Sequence, residues 1–302
     1  MSQARAPVGV FCLLASLAGC ATAPTEQIHY FASAFDSVNT VGQPLLDDLA
    51  IAERQQGQSN AAAGNPCPHP TFKSGSNTVM LGFCNEDAPY FSDIGDPPAT
   101  LVFRGGLAVL HDYVDLLLSL TDGRSTADAV AQVDLLGQKV AALAATAGVV
   151  GPAAAAAIPG ALALLQPVLT DAAKQLSVQE VRRVILDGEP QVTGLIDALA
   201  SSAPQVFRTV TRPVQLRLEV KNSPTFAPDK AKYEAYRKIV SNYVVLLAKL
   251  RDAWVKTVAA TRSPSPPTLA DVANQVGQLQ TDASSIMRLY AALRTGTLPA
   301  TP

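Results

Sequence analysis

Two long apolar stripes near the C-terminus constrain the fold of this chain more than any other feature. In each stripe the apolar residues alternate at spacings of three and four, which is typical of one helix face packed against another helix. The connection between them, RSPSPPT at 262–268, is so short that the two helices must be antiparallel neighbours. The stripes are Tyr233, Tyr236, Val240, Tyr243, Leu247, Leu250 and Trp254, then Leu269, Val272, Val276, Leu279, Ala283, Ile286, Tyr290 and Leu293.

The aromatic residues of the first stripe have two interpretations. Tyr233, Tyr236, Tyr243 and Trp254 would form a ligand platform if they faced solvent. At heptad-like spacing such side chains belong more often to a core, so we expect them to be buried. Thr268 and Asp271 have the spacing of a capping box that starts the second helix.

Similar spacing recurs along the rest of the chain. One stripe follows the tether, on a helix that we expect to kink near Pro44, and others occupy residues 103–117 and 133–147. The sequence therefore predicts an all-α fold, an elongated and mostly antiparallel helical bundle formed by residues 28–302 as a single domain. The first of these stripes is Ile28, Phe31, Phe35, Val38, Gly42, Leu45 and Leu49.

Residues 56–99 break the helical pattern. Gly, Pro, Asn and Ser dominate this segment, so the sequence predicts a long loop, with a short strand in TVMLGFC at 78–84. Loops of this length in a compact domain are often functional. Two cysteines, Cys67 and Cys84, lie within it.

The N-terminus has the plan of a bacterial export signal. Arg5 and the free amine form a positive region, and the apolar run 6–16 is too short to span a membrane. The run ends in Leu-Ala-Gly-Cys at 17–20, which resembles the lipobox of bacterial lipoproteins. That resemblance implies a signal peptide of residues 1–19, a lipidated Cys20 and a tether of residues 20–27.

The lipobox resemblance also implies a location. Ala21 rather than Asp follows Cys20, which in enterobacterial-type sorting directs a lipoprotein to the outer membrane, facing the periplasm. The membrane would then be a partner through the lipid anchor, since two or more acyl chains anchor a protein stably. The alternative is an ordinary secretory signal that is cut near Ala18 or Ala21.

Processing simplifies the cysteine count. Cys12 leaves with the signal peptide and Cys20 carries lipid, so Cys67 and Cys84 remain as a pair in an oxidising compartment. We expect them to form a disulfide that staples the loop. The alternative is a metal site formed with His69, but three ligands without a CxxC pair make a weak zinc motif.

An uncharged stretch runs between Lys139 and Asp171. It could enter a membrane or fill the centre of the bundle. A helical hairpin made from this stretch would have two legs of about 15 residues, each about 22 Å long. That is shorter than the hydrocarbon core of a membrane, which is about 30 Å thick. Pro152, Pro159 and Pro167 interrupt any continuous helix. We therefore expect a core segment.

Charge is distributed unevenly. Residues 21–203 contain 8 Lys or Arg and 19 Asp or Glu, whereas residues 204–262 contain 12 Lys or Arg and 4 Asp or Glu. The basic segment would suit an envelope protein or an anionic surface, or its charges would be neutralised by acidic helices of the same chain. Export excludes nucleic acid as a natural partner.

Motifs for catalysis, cofactors or metals are lacking in the sequence. No GxSxG, HExxH, Walker A or GxGxxG sequence occurs. His111 and Asp115 share a helix face, as do Asp112 and Asp115, but neither pair has a third partner. We expect no enzyme activity, no cofactor and no bound metal.

Three function classes follow from the sequence. The leading expectation is a lipid-anchored, non-catalytic binding or scaffold module of the envelope. The first alternative is a membrane-perturbing protein that resembles α-helical pore-forming toxins in outline and uses residues 140–170. The second is an enzyme whose site has no recognised motif.

Overall fold

The described residues form a helical bundle with one small β-hairpin. The computed structural model describes residues 25–122 except 66, 68, 69, 76 and 81, and also residues 126–150, 178–220, 224–263 and 266–297. The all-α prediction is confirmed across these residues. In chain order the elements are α1 (Thr25–Ala62), β1 (Thr71–Ser74), β2 (Asn77–Met80), α2 (Ala88–Phe91), α3 (Pro98–Thr121), α4 (Thr126–Val150), α5 (Val178–Asp187), α6 (Glu189–Leu218), α7 (Phe226–Arg262) and α8 (Pro266–Thr295).

Contacts between α1 and α7 define the two ends of the bundle. The ring centroids of Phe31 and Trp254 lie 4.8 Å apart, and the Tyr236 hydroxyl lies 2.9 Å from the Asp48 carboxylate. Residue numbers rise along α1 as they fall along α7, so the two helices are antiparallel. Thr25, which lies in the predicted tether, is at one end of the bundle. We call the opposite end, which holds Ala62 and Phe226, the distal end.

The C-terminal stripes form much of the core, as their spacing predicts. Tyr236, Tyr243 and Trp254 are buried, and so are the stripe residues of α8 from Val272 to Tyr290. Tyr233 differs from the expectation, because it is partly exposed and packs its ring against Phe207 at a centroid distance of 5.3 Å. The aromatic stripe is therefore mainly core rather than a ligand platform.

Helix α1 is longer than the sequence indicates. It passes through Pro44 and continues to Ala62, so the predicted loop at 56–99 begins about seven residues later and contains a hairpin and the short helix α2. Gly57, which resembles a helix breaker in the sequence, is a packing residue. A Cβ at Gly57 would lie 2.2 Å from the ring of Tyr90.

One other helix boundary differs slightly from the predicted one. Helix α8 begins at Pro266, two residues before the predicted cap at Thr268, because proline is tolerated in a first helical turn. Helices α5 and α6 are separated by Gly188, where a Cβ would lie 2.8 Å from the Tyr113 hydroxyl.

Part of the uncharged stretch belongs to α4. Val140 and Leu143 are buried in the core, and Leu143 packs against Gly105 of α3. Residues 151–177 lie outside the described residues, so the expectation that the whole stretch is core stays a prediction.

Candidate interaction surface

The predicted modification sites have different outcomes. Cys20 and the signal peptide lie outside the described residues, so lipidation stays a prediction. Cys67 and Cys84 are joined by a disulfide, with an S–S distance of 2.03 Å and a Cα–Cα distance of 6.5 Å. Because both sulfurs are bonded to each other, neither is a thiolate that could bind zinc. His69, the third ligand of the metal alternative, lies outside the described residues.

The histidine and carboxylate pairs from the sequence lie at the surface. His111 Nδ1 lies 3.1 Å from an Asp115 carboxylate oxygen, with both side chains nearly half exposed. Asp112 pairs with Lys139 of α4 rather than with Asp115. These arrangements are exposed ion pairs, which contribute little to stability and form no enclosed site.

The disulfide lies in a compact segment that docks on α1. We call residues 63–97 the disulfide module. Arg54 donates a hydrogen bond to the Gly95 carbonyl at 2.5 Å, and Gln58 donates one to the Tyr90 carbonyl at 2.9 Å. Together with the close approach of Gly57 to Tyr90, these bonds hold the end of the module against α1.

A buried carboxylate of α1 caps the helix that follows the module. Glu53 accepts hydrogen bonds from the backbone N–H groups of Ala99 and Thr100, and from the Thr100 hydroxyl, all at 2.8 Å. The first N–H groups of a helix lack intrahelical partners and carry partial positive charge, so a carboxylate is favoured there. Glu53 therefore fixes the start of α3 to α1.

An arginine in α3 strengthens the same junction. Arg104 donates to Asp96 at 2.7 Å, at the end of the module, and to Asp47 of α1 at 3.0 Å. Burial alone would lower the pKa of Arg104, but the hydrogen bonds to Asp47 and Asp96 outweigh burial and raise it. The guanidinium is therefore a permanent cation that bridges α1, α3 and the module.

The disulfide module presents large apolar side chains to solvent. Phe72 and Val79 are paired directly across the hairpin, and both are more than half exposed. Ile94 is 91% exposed and Phe83 is 66% exposed. Of 14 exposed large apolar residues in the described chain, five belong to this module. Such a concentration of exposed apolar side chains on one segment makes the module a candidate interaction site. We call Phe72, Val79, Phe83, Phe91 and Ile94 the apolar surface of the module.

A second feature of the distal end is the junction of α6 and α7. Arg217 of α6 donates hydrogen bonds from Nε and Nη2 to the Asp229 carboxylate of α7, with the shortest at 2.8 Å. The hydrogen bond from Arg217 lowers the pKa of Asp229, which stays ionised. This pair neutralises both charges and fixes the two helices relative to each other.

The same junction exposes apolar and basic side chains. Leu216, Val220 and Phe226 are each about half exposed or more, with Val220 at 59%. The basic residues around them are Arg208, Arg212, Lys230 and Lys232, all exposed. We call the described residues 208–220 and 224–232 the basic tip.

Three basic residues of α7 pair with acidic residues of neighbouring helices, in line with one of the two interpretations of the charge pattern. Arg251 lies 3.0 Å from Asp197 of α6, and Arg262 pairs with Glu189 at the start of α6. Lys249 pairs with Asp282 of α8. At the tip the situation differs, because Arg212 and Lys230 have no ion-pair partner among the described residues.

A polar cluster inside the bundle was not foreseen from the sequence. The Asp48 carboxylate, 19% exposed, accepts hydrogen bonds from Tyr236 and Tyr290, and Arg294 lies 3.7 Å away. Burial raises the pKa of Tyr290 and of Tyr236, and the Asp48 charge raises both further. Both phenols are therefore neutral donors at physiological pH, which suits a structural role.

Two concavities of the described residues are an interior cavity and a surface groove. A cavity of about 20 Å³ lies among Leu45, Phe103, Leu199 and Tyr243, with room for one water molecule. A groove of about 520 Å³ runs between α1 and α8 and is lined by polar and apolar side chains together, among them Ser37, Met287 and Arg288. The interior cavity is too small for an organic ligand, so the distal end remains the stronger candidate.

Comparison with known proteins gives no relative from which a role could be transferred. No protein-family model, no curated protein and no solved structure matches the chain. Among the described residues, no helix is both long and apolar enough to cross a membrane.

Proposed function

We propose that the protein is a lipid-anchored, non-catalytic binding module of the bacterial envelope. Cys20 carries the anchor, and the apolar surface of the disulfide module binds a protein partner. The exposure of Phe72, Val79, Phe83, Phe91 and Ile94 on one stapled segment is the observation that carries this proposal. Leaving five such side chains in water is unfavourable unless a partner covers them.

The attachment of the module supports the same role. Arg54, Gln58 and Arg104 hold its end against the bundle, and the disulfide closes its loop. A preorganised surface loses less conformational entropy when it binds than a flexible loop does. The module also lies at the distal end, so an anchor just before Thr25 leaves it accessible.

Site-specific photo-crosslinking tests the binding surface. A benzophenone amino acid replaces Ile94 in the full-length protein, expressed in its own envelope, and irradiation should give one discrete higher-mass adduct. The matched control places the same group at Leu135 of α4, which is 57% exposed and far from the module. Equal adducts at both positions, or none at Ile94, would reject the apolar surface as a binding site.

Fractionation tests the anchor separately. Cys20→Ala should prevent lipidation, so the protein should leave the membrane fraction or persist with an uncleaved signal. The lipid anchor is ruled out if Cys20→Ala is processed and fractionates like the unmodified sequence.

A further inference from the structure

Ion pairs between α7 and its neighbouring helices occur in the C-terminal half of α7. Arg251, Lys249 and Arg262 each meet a carboxylate of a neighbouring helix, so their charges are compensated within the molecule. Arg212 and Lys230 near the tip have no such partner among the described residues. Arg208 donates a hydrogen bond to the neutral Gln205 side chain, and Lys232 lies over the Tyr236 ring.

The tip and the residues beside it contain more basic than acidic residues. Residues 204–238 contain eight Lys or Arg and three Asp or Glu. Two of the three acids form ion pairs within this segment: Asp229 pairs with Arg217, and Glu234 pairs with Arg237. With eight basic and three acidic residues, this segment carries a formal net charge of +5.

The apolar residues lie within this basic region. Arg208, Arg212 and Leu216 are spaced by four residues on α6, and Phe226 and Lys230 are spaced by four on α7. Each helix therefore presents an apolar side chain one turn from a cation, toward the end of the hairpin. The Arg217–Asp229 pair and the Phe207–Tyr233 contact keep this arrangement rigid.

We propose that the basic tip docks on an anionic lipid surface. Lysine and arginine side chains near an anionic leaflet are attracted to its head groups, while apolar and aromatic side chains enter the head-group boundary. The tip combines both features on an exposed helical hairpin. A protein partner would need a matching acidic and apolar surface, whereas an anionic leaflet supplies both chemistries at once.

This contact is independent of the lipid anchor and of the apolar surface of the disulfide module. Helix α7 has 37 residues and is about 55 Å long at 1.5 Å per residue. The tip and Thr25 lie at opposite ends of a bundle of that length. If both ends contact one membrane, the bundle lies along it.

Vesicle binding tests the proposal on residues 21–302, which retain every contact of the described bundle and carry no anchor. The probe is vesicles of phosphatidylcholine alone or with 30 mol% phosphatidylglycerol. We expect at least about tenfold stronger partitioning onto the anionic vesicles, and loss of most of that difference at 0.5 M salt. Equal partitioning onto both compositions would overturn the proposal.

Matched double variants locate the contact. Lys230→Glu with Phe226→Ser changes the tip, whereas Lys256→Glu with Leu135→Ser makes the same changes elsewhere on the molecule. The tip variant should lose about tenfold or more in partitioning to anionic vesicles, and the control should bind like the parent. Equal losses in both variants would overturn a specific contact at the tip.

A fluorescent label gives a second measurement if the tip variant folds poorly. Residues 21–302 contain no cysteine other than the disulfide pair, so a single added cysteine can carry an environment-sensitive dye. The dye at Phe226→Cys should shift to shorter wavelength with anionic vesicles, and the dye at Leu135→Cys should not. A shift caused by envelope protein extract but not by vesicles would instead identify a protein partner and reject lipid.

Discussion

The hydroxyl of Tyr290 donates a hydrogen bond to the carboxylate of Asp48, although 242 residues separate the two in the chain. The Tyr290 oxygen also lies 2.9 Å from the Pro44 carbonyl oxygen, and Tyr236 donates to the same carboxylate. Helices α1, α7 and α8 therefore meet at one mostly buried charge. Hydrogen bonds to an ionised group are stronger than neutral ones, so this cluster should be a principal link between α8 and the bundle.

Removal of one hydroxyl tests that link. Tyr290→Phe should lower the free energy of unfolding by about 1.5–3 kcal/mol, because a hydrogen bond to a charged group is lost. Tyr113→Phe is the matched control, since the Tyr113 hydroxyl is fully buried and has no hydrogen-bond partner in the described chain. Its removal should leave stability unchanged or higher. Urea unfolding followed by circular dichroism measures both, and equal losses would contradict the assignment.

The same tyrosines predict sensitivity to alkaline pH. Burial and the Asp48 charge raise the pKa of Tyr290 above the ordinary value of 10.0 in the folded state. The neutral phenol is favoured in the folded protein, so its contribution is intact below pH 10 and is lost as pH rises above that value. Urea unfolding at intervals from pH 8 to 11 should show a flat region followed by a decline. The decline should be shallower in Tyr290→Phe, and an unchanged slope would argue against a role for this phenol.

The helical architecture was readable from the sequence because its signal is local. Each stripe residue of α7 and α8 lies three or four positions from the next, and this periodicity needs no knowledge of the partner helix. The disulfide could also be predicted from the sequence, since Cys67 and Cys84 are the two cysteines that remain after the predicted processing. Both expectations depend on spacing and composition alone.

The parts that sequence analysis missed depend on contacts between distant residues. Asp48 has the pattern of an ordinary exposed acid, and only the packing of α7 and α8 gives it two tyrosine partners. In the sequence Gly57 resembles a helix breaker, and only the folded structure shows that the Tyr90 ring packs against it. The exposure of Ile94 likewise has no sequence signature, because an apolar residue in a loop is as often buried as exposed.

A cap supplied from another helix gives the next prediction. Glu53→Gln removes the negative charge that accepts two backbone N–H groups at the start of α3. We expect a loss of about 1–2 kcal/mol in the free energy of unfolding, the usual range for a lost helix cap. Glu26→Gln, in the exposed first turn of α1, is the control and should have a much smaller effect. A comparable loss in both variants would mean that Glu53 acts only through net charge.

The last prediction concerns the staple that shapes the apolar surface of the module. Replacing both cysteines, Cys67→Ser with Cys84→Ser, opens a loop between residues 17 positions apart in sequence. In the chain-entropy model the unfolded chain then regains freedom equivalent to about 3 kcal/mol of stability. Because Arg54, Gln58 and Arg104 still hold the end of the module, we expect the rest of the bundle to stay folded.

Hydrogen exchange separates these two effects. Backbone amides of β1 and β2 should exchange much faster in the double variant, while amides in the centre of α7 should keep most of their protection. Glu53→Gln should show the opposite distribution, with faster exchange at the start of α3 and an intact hairpin. If the double variant leaves hairpin protection unchanged, the disulfide does not order the module, and Phe72 and Val79 would be held by the hairpin alone.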